Sequence, residues 1–310
     1  MLFESFVKCF LRQHRRFYMA GCTLCPRRCG ADRQQYIGIC GADDRIKIAR
    51  AAPHFWEEPC ISGQNGSGAV FFSGCTLRCV YCQNYEISSG GKGEFVSREE
   101  FVSILFSLKE QGVHNINLVT PDQFLAIVAP ILKDIKQELS LPIVINCSGY
   151  ESREMLALLD GVADIYLVDY KYADDALAGR LSGVSDYVKT VTEALPVMFS
   201  QVGRPVFSED GMLERGIILR HLVLPGERKN SLAVLDSVNA IFSADDFLLS
   251  LMSQYTPNGK EGAPSRTLTR FEYGSVAARA EEYGFQGYFQ AFSSQNQAFT
   301  PPFDGKGVTK

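Results

Sequence analysis

The sequence predicts an α/β fold: an incomplete (β/α)6 barrel with a small cysteine-rich module in front of it. Three observations carry that expectation. From residue 69 onward, short apolar runs alternate with stretches of helical period. Polar residues collect just past each apolar run, where a barrel keeps its chemistry. Seven cysteines fall into two tight groups before residue 83.

The chain has 310 residues, 46% of them hydrophobic, which suffices for one large core and a small appended module. A net charge of −4 argues against nucleic acid as the main partner, because phosphate binding asks for a basic face. Ten cysteines, most of them at metal-like spacings, read as reduced ligands in a cytoplasmic protein. No apolar run approaches the ~20 residues needed to span a bilayer. Met1–Met19 carries Lys8, Arg12, Arg15 and Arg16 among Phe3, Phe6, Val7 and Phe10. It lacks the apolar centre of a signal peptide and reads as an amphipathic helix packed on the body.

In order, residues 1–62 are expected to hold that helix and the metal module, 63–292 the barrel, and 293–310 a polar, proline-containing tail. The module contains Cys22-x2-Cys25-Pro26-Arg27-Arg28-Cys29-Gly30 and Gly38-Ile39-Cys40-Gly41. Cys–Pro and Cys–Gly steps make tight turns whose N–H groups point at sulfur, which suits a four-thiolate site on Cys22, Cys25, Cys29 and Cys40. The region is poor in apolar residues, so a metal would hold it together. Zinc and an accessory iron–sulfur cluster both fit. His54 and Cys60 are spare ligand candidates, with packed residues near the module boundary as the favoured alternative. The glycine-rich Ile61–Gly68 reads as a turn, since no Lys-bearing helix follows it.

Strands are predicted at Ala69–Ser73, Asn115–Val119, Ile143–Cys147, Asp164–Asp169, Gly216–His221 and Phe247–Met252. Helical stretches lie at Gln123–Leu139, Ser152–Leu159, Val184–Phe199, Ser231–Phe242 and Thr269–Tyr283, with Pro130 expected to kink or split the first. Ser97 and Glu100 form a capping box ahead of Phe101, Ile104, Leu105 and Leu108. Val206–Glu214, with Asp210-Gly211 at its centre, reads as an inserted hairpin.

The stretch with the sharpest chemistry is Gly74-Cys75-Thr76-Leu77-Arg78-Cys79-Val80-Tyr81-Cys82, directly after the apolar Ala69–Phe72. Three thiols at C-x3-C-x2-C spacing on one loop can wrap three corners of a cubane iron–sulfur cluster. The fourth iron then keeps an open position, as catalytic metal sites do. A zinc knuckle or a set of buried thiols is the alternative reading.

This loop, with Tyr81 just before its third cysteine, resembles the cluster motif of the radical S-adenosylmethionine (SAM) superfamily. Over roughly residues 20–290 the chain is similar to that superfamily's pyruvate formate-lyase activating enzyme-like group. The resemblance rests on Cys25–Gly30, Asn117-Leu118-Val119-Thr120-Pro121, Asn146–Tyr150, Asp164–Lys171, Arg220–Gly226 and Gln254-Tyr255. It implies a TIM-like partial barrel of the radical SAM type, a 4Fe–4S cluster on Cys75, Cys79 and Cys82, and SAM on the open iron. By the same resemblance, Asp169 and Lys171 contact the ribose and carboxylate of SAM, a pairing the chemistry allows. Asn146 and Ser148 line the nucleoside, and Thr120 stands at the strand end that holds the SAM amino group. Arg220 and His221 contact SAM or substrate, with His221 the candidate proton donor. Activating enzymes of glycyl-radical proteins carry Gly-Gly-Glu where this chain reads Val119-Thr120-Pro121-Asp122.

The function implied is reductive SAM cleavage to a 5′-deoxyadenosyl radical that abstracts hydrogen from a substrate, a protein glycine being the activase case. An electron donor such as flavodoxin or ferredoxin is implied with it. Cys147 follows a strand and is a hydrogen-donor candidate or a buried thiol, while Tyr150 and Tyr255 read as packing aromatics. Two other classes stay open: a non-catalytic metal-binding protein that docks a partner, and a radical enzyme modifying RNA or a peptide. The absence of cysteine after Cys147 and of a basic C-terminal extension weighs against the latter.

Overall fold

A computed structural model describes residues 21–295 and 299–308; the helix predicted over Met1–Met19 lies outside them. One sheet organises the chain. Its strands are β1 (Ile46–His54), β2 (Ser67–Phe72), β3 (Glu94–Val96), β4 (Ile116–Val119), β5 (Ile143–Cys147), β6 (Ile165–Asp169), β7 (Val206–Phe207), β8 (Leu213–Leu222), β9 (Leu248–Met252) and β10 (Gly287–Phe289). Their order is β10-β9-β8-β6-β5-β4-β2-β1-β3, with β7 paired to β8. Seven neighbours from β10 to β2 run parallel, and β1 and β3 add an antiparallel margin. Among the described residues no pairing joins β10 to the β1–β3 margin, so the sheet they form is open.

All six predicted strands are present. β1, β3 and β10 are additions. β1 pairs with β2, so the chain enters the main sheet well before residue 63. Lys47 and Arg50 break up its short apolar pattern, which hides Ile46 and Ile48 as strand residues. β10 has only three residues, and its Gly287 is obligatory: a Cβ there would lie 2.0 Å from the Leu249 carbonyl oxygen. The hairpin before β8 forms as expected, with Phe207 opposite Leu213.

Seven helices cover the sheet: α1 (Arg98–Glu110), α2 (Leu125–Leu139), α3 (Arg153–Leu159), α4 (Asp175–Ser182), α5 (Tyr187–Val202), α6 (Arg228–Ile241) and α7 (Arg270–Glu282). Both arms of the Ser97–Glu100 box are made, and Thr269 with Glu272 repeats the device at α7. Pro130 does not split α2. It removes one backbone donor, while Leu125, Val128, Ile131 and Leu132 bury the turns on either side of it. α4 escaped the periodicity reading. Its signals are the cap Asp174, which accepts from the Ala176 amide at 2.8 Å, and the stop at Gly183, φ +63°.

Alternation along the strands makes two cores. Val70, Phe72, Leu118, Ile145, Tyr166, Val168, Ile217 and Leu219 face the helices. Val144, Ile165, Leu167 and Ile218 face the other way and close around Cys60 and Ile61. The segment after β1 therefore plugs the concave face, below the strand ends. The tail lies across β1: Ala51 donates to the Lys306 carbonyl, Gly305 donates to that of Ala49, and Phe303 is buried against Phe71.

Ile61 is 0% exposed at the centre of the concave core. Ile61→Ala should destabilise the fold by about 2–5 kcal/mol in urea unfolding. A loss within experimental error would show that the plug does not hold the strands together.

Candidate functional site

The strand ends open into a cavity of about 330 Å³. Its floor is the loop that follows β2, and its wall is the row of residues at and just past the ends of β4, β5, β6, β8 and β9. Cys75, Cys79, Tyr81 and Cys82 line it from the loop. Thr120, Asn146, Ser148, Asp169, Lys171 and Arg220 line it from the wall. Residues 54–58 roof it together with Phe299 and Pro301 of the tail, and Trp56 meets Phe299 edge-on at 5.5 Å.

The floor loop has little regular structure, so its backbone groups need outside partners. Arg27 provides them: Nε donates to the Thr76 carbonyl at 2.9 Å and Nη2 to that of Leu77 at 3.1 Å, while the same fork reaches the carbonyls of Ser182 and Gly183. Gln123 Nε2 donates to the carbonyls of Ser73, Gly74 and Thr120. The Cys75 amide donates to the Cys40 carbonyl at 2.9 Å. Gly74 has φ +86°, and a Cβ on it would stand 2.5 Å from that same oxygen, so no other residue fits.

The sulfurs sit among donors. Cys79 Sγ accepts from the Ser182 hydroxyl at 3.0 Å, and Cys75 Sγ from the Arg78 amide at 3.5 Å. Tyr81 and Tyr172 join their hydroxyls at 3.0 Å beside Cys79. Burial, with the neighbouring sulfurs acting the same way, pushes the Cys75 and Cys82 thiols up. In the second group Cys22, Cys25 and Cys40 are buried and Cys29 half-buried. Burial pushes Cys25 up to about 12, and the charges of Cys40, Cys22 and Cys29 add to it. All nine described cysteines are free thiols, and among the described residues no three His, Cys, Asp or Glu side chains are drawn into a metal-holding group. What fits an iron–sulfur group at the floor is the donor set: three soft sulfurs on one loop, facing one cavity, with amide and hydroxyl donors ready to support thiolates.

The wall is a closed charge network. Arg220 donates to Asp169 Oδ1 at 2.8 Å, to Glu57 Oε2 at 3.1 Å and to Asn146 Oδ1 at 2.6 Å. Lys171 Nζ donates to Asp169 Oδ2 at 2.6 Å, and Asn117 donates to Glu57 Oε1 at 3.0 Å. Burial works to raise Asp169, but Arg220 and Lys171 outweigh it and hold its carboxyl below the usual range. Glu57 goes up, because burial exceeds the help it gets from Arg220. Thr120 has φ +55°, a strained setting for a β-branched residue. Its amide donates to the Asn146 carbonyl at 2.8 Å, which fixes the strand end facing the loop.

Residues 69–207 match the model of the Radical SAM superfamily. Over this stretch the chain is similar to that superfamily. The uncharacterized protein MJ0674 of Methanocaldococcus jannaschii is 27% identical over 279 residues, covering 84% of this chain and 75% of that one. Among solved structures, Streptococcus suis SuiB bound to S-adenosylmethionine superposes with a TM-score of 0.50 at 13% identity, over 71% of this chain. This chain spans about half the length of SuiB, 49% in that comparison. Methylornithine synthase (PylB) gives 0.48 at 16% identity, over 81% of this chain and 66% of PylB. Among the described residues no helix is long and apolar enough to cross a membrane.

All ten residues expected at the radical SAM cofactor site line this one cavity. His221 stands apart. Strand alternation turns Arg220 inward and His221 to the opposite face, where it is 0% exposed with Nδ1 at 2.7 Å from the Tyr170 carbonyl and Nε2 unpartnered. Of the two spare candidates, His54 lines the cavity and Cys60 lies in the concave core. Sequence reading passed over Glu57 and Glu58. Their signal was a pair of adjacent carboxylates before Pro59, next to a run of aromatics, in a segment otherwise taken as a boundary.

Burial lowers His221 to about 4 from an ordinary 6.5. The unfolded chain then binds a proton that the folded chain refuses between these values, so stability falls as pH drops through this window. Unfolding free energies of wild type and His221→Asn should converge by about 2 kcal/mol between pH 7 and pH 5, the wild type losing more. Parallel pH profiles would mean that His221 accepts a proton in the fold.

Proposed function

We propose that this chain is a radical SAM enzyme that cleaves SAM reductively and abstracts hydrogen from a substrate held in the same cavity. The observation that carries this reading is a single cavity with three thiols on its floor and a paired Asp–Lys–Arg network on its wall. Cys75, Cys79 and Cys82 would hold the 4Fe–4S cluster. When bound, the cluster supplies the single electron that breaks the sulfonium bond of SAM, delivered by a donor of flavodoxin or ferredoxin type.

The other roles belong to the wall. Lys171 meets the SAM carboxylate, and Asp169 accepts from ribose hydroxyls. Both are engaged with each other and with Arg220, so SAM exchanges one set of ion pairs for another. Asn146 and Ser148 line the nucleoside, Thr120 supports its amino-acid end, and Tyr81 packs beside the cluster. Cys22, Cys25, Cys29 and Cys40 would take a second metal, zinc or an accessory cluster, which stiffens the module that carries Arg27.

The roof favours a small substrate over a protein loop. His54, Phe55, Trp56, Phe299 and Pro301 cover the cavity mouth, and Glu57 and Glu58 fill the space below. A folded protein's glycine segment would have to displace this roof. The glycyl-radical activase role also lacks its Gly-Gly-Glu strand end here.

The test is anaerobic purification, reduction with dithionite and assay of 5′-deoxyadenosine from SAM, with iron and zinc counted on the same sample. We expect about four irons at the floor site and steady 5′-deoxyadenosine. Replacing Cys75, Cys79 and Cys82 together by Ala should remove both. Iron-loaded protein that leaves SAM intact would sink the reading, and zinc alone at both cysteine groups would favour a metal-binding docking protein.

A further inference from the structure

Beside the cavity lies a group of side chains that the scheme above leaves unused. Asp122 and Glu151 are buried, at 0% and 2% exposure, and their carboxyls meet. Neither oxygen of Asp122 has a hydrogen-bond donor, nor does Oε2 of Glu151. Glu151 Oε1 accepts from the Ser148 amide at 3.1 Å and from its hydroxyl at 3.2 Å. Buried polar atoms are almost always paired, so three orphan oxygens in one place call for an explanation. Two carboxyls in contact away from water cannot both be ionised; one proton held between them supplies the missing donor. Burial first, and the charge of Glu151 second, push Asp122 well above the carboxylate range.

Two residues link the pair to the site: Ser148, whose hydroxyl already donates to Glu151, and Cys147. Cys147 ends β5, is 4% exposed, lies beside Glu151 and lines the cavity. Burial pushes its thiol well up, with the charges of Glu151 and Asp122 acting in the same direction, so it keeps its hydrogen. On the far side of the pair, the Thr76 hydroxyl lies next to Asp122 and works against the rise in its carboxyl.

We propose that Cys147 is a hydrogen-atom donor to radicals formed in this cavity, and that the Asp122–Glu151 pair is its proton source. The inference rests on the radical reading above. A carbon-centred radical takes the hydrogen of the Cys147 thiol: a C–H bond forms, the S–H bond breaks, and a thiyl radical is left. The direction is set by bond strength, since an alkyl C–H bond is stronger than a thiol S–H bond. One electron from the low-potential reductant and the proton shared by the pair then rebuild the thiol. The pair takes its proton back from water once the cavity empties.

SAM itself serves as the probe, because a deoxyadenosyl radical with no other substrate is quenched by the nearest donor. The reconstituted full-length chain is turned over with dithionite and SAM in D2O. Wild type should yield 5′-deoxyadenosine carrying a single solvent deuterium. Cys147→Ser nearly keeps the volume, but its O–H bond is too strong to give up; it and Cys147→Ala should still make 5′-deoxyadenosine with the label lost. Glu151→Gln should keep the label in the first turnover and slow the later ones.

The second readout needs no cluster. Infrared spectra of the metal-free chain at neutral pH should show a protonated-carboxyl band and a Cys147 S–H band. Asp122→Asn combined with Glu151→Gln should remove the carboxyl band, and a wild-type spectrum without that band would overturn the pair as a proton source. Unlabelled product from wild type, or full label from Cys147→Ser, would overturn the inference while leaving the radical reading intact. Absence of any 5′-deoxyadenosine would overturn both.

Discussion

The guanidinium of Arg27 supplies what no helix or strand can supply to the loop at residues 73–84. A metal-binding loop must keep its sulfurs turned outward, so its own carbonyls face inward without a ladder partner. Arg27 takes up those of Thr76 and Leu77 and ties them to the end of α4 through Ser182 and Gly183. Gln123 does the same from the start of α2, and the Cys40 carbonyl holds the Cys75 amide. The loop is therefore shaped by three segments far apart in sequence. A planar fork is suited to this task, since a lysine offers one point charge where four carbonyls must be met.

This arrangement explains why the cysteine-rich module precedes the sheet. Its cysteines and the floor loop share backbone contacts, so stiffening one stiffens the other. The wall follows from strand alternation. Each parallel strand sends alternate residues to the helices and to the concave side. Inward residues near each strand end meet the cavity, among them Val119, Asn146, Asp169, Arg220 and Ser250. A buried ion network of this kind is costly to assemble without full pairing. Asn117, Asn146 and Glu57 complete it, and Glu57 arrives on the same segment that plugs the concave core. Site and core are thus positioned by one stretch of chain.

Much of this was legible in the sequence. Strand–helix alternation located the central strands because buried parallel strands are continuous apolar runs bounded by turns. The strand-end rule found Asn146, Ser148, Asp169, Lys171 and Arg220 because these polar groups have no structural reason to follow an apolar run. It erred by one residue at His221, since a strand end exposes one face and the rule does not say which. β10 and α4 were missed because each is too short for periodicity, and β1 because charges interrupt its apolar pattern. Glu57 and Glu151 stayed hidden for another reason. A carboxylate's burial depends on what folds over it, and nothing in its neighbours along the chain reports that.

The central claim is that three sulfurs hold a cluster whose remaining position faces SAM. Electron paramagnetic resonance of the reduced, reconstituted chain tests it directly, with and without SAM labelled with 15N at its amino group. The account predicts a spectrum that changes on adding SAM and shows coupling to the labelled nitrogen. A cluster signal indifferent to SAM, with no coupling, would contradict it.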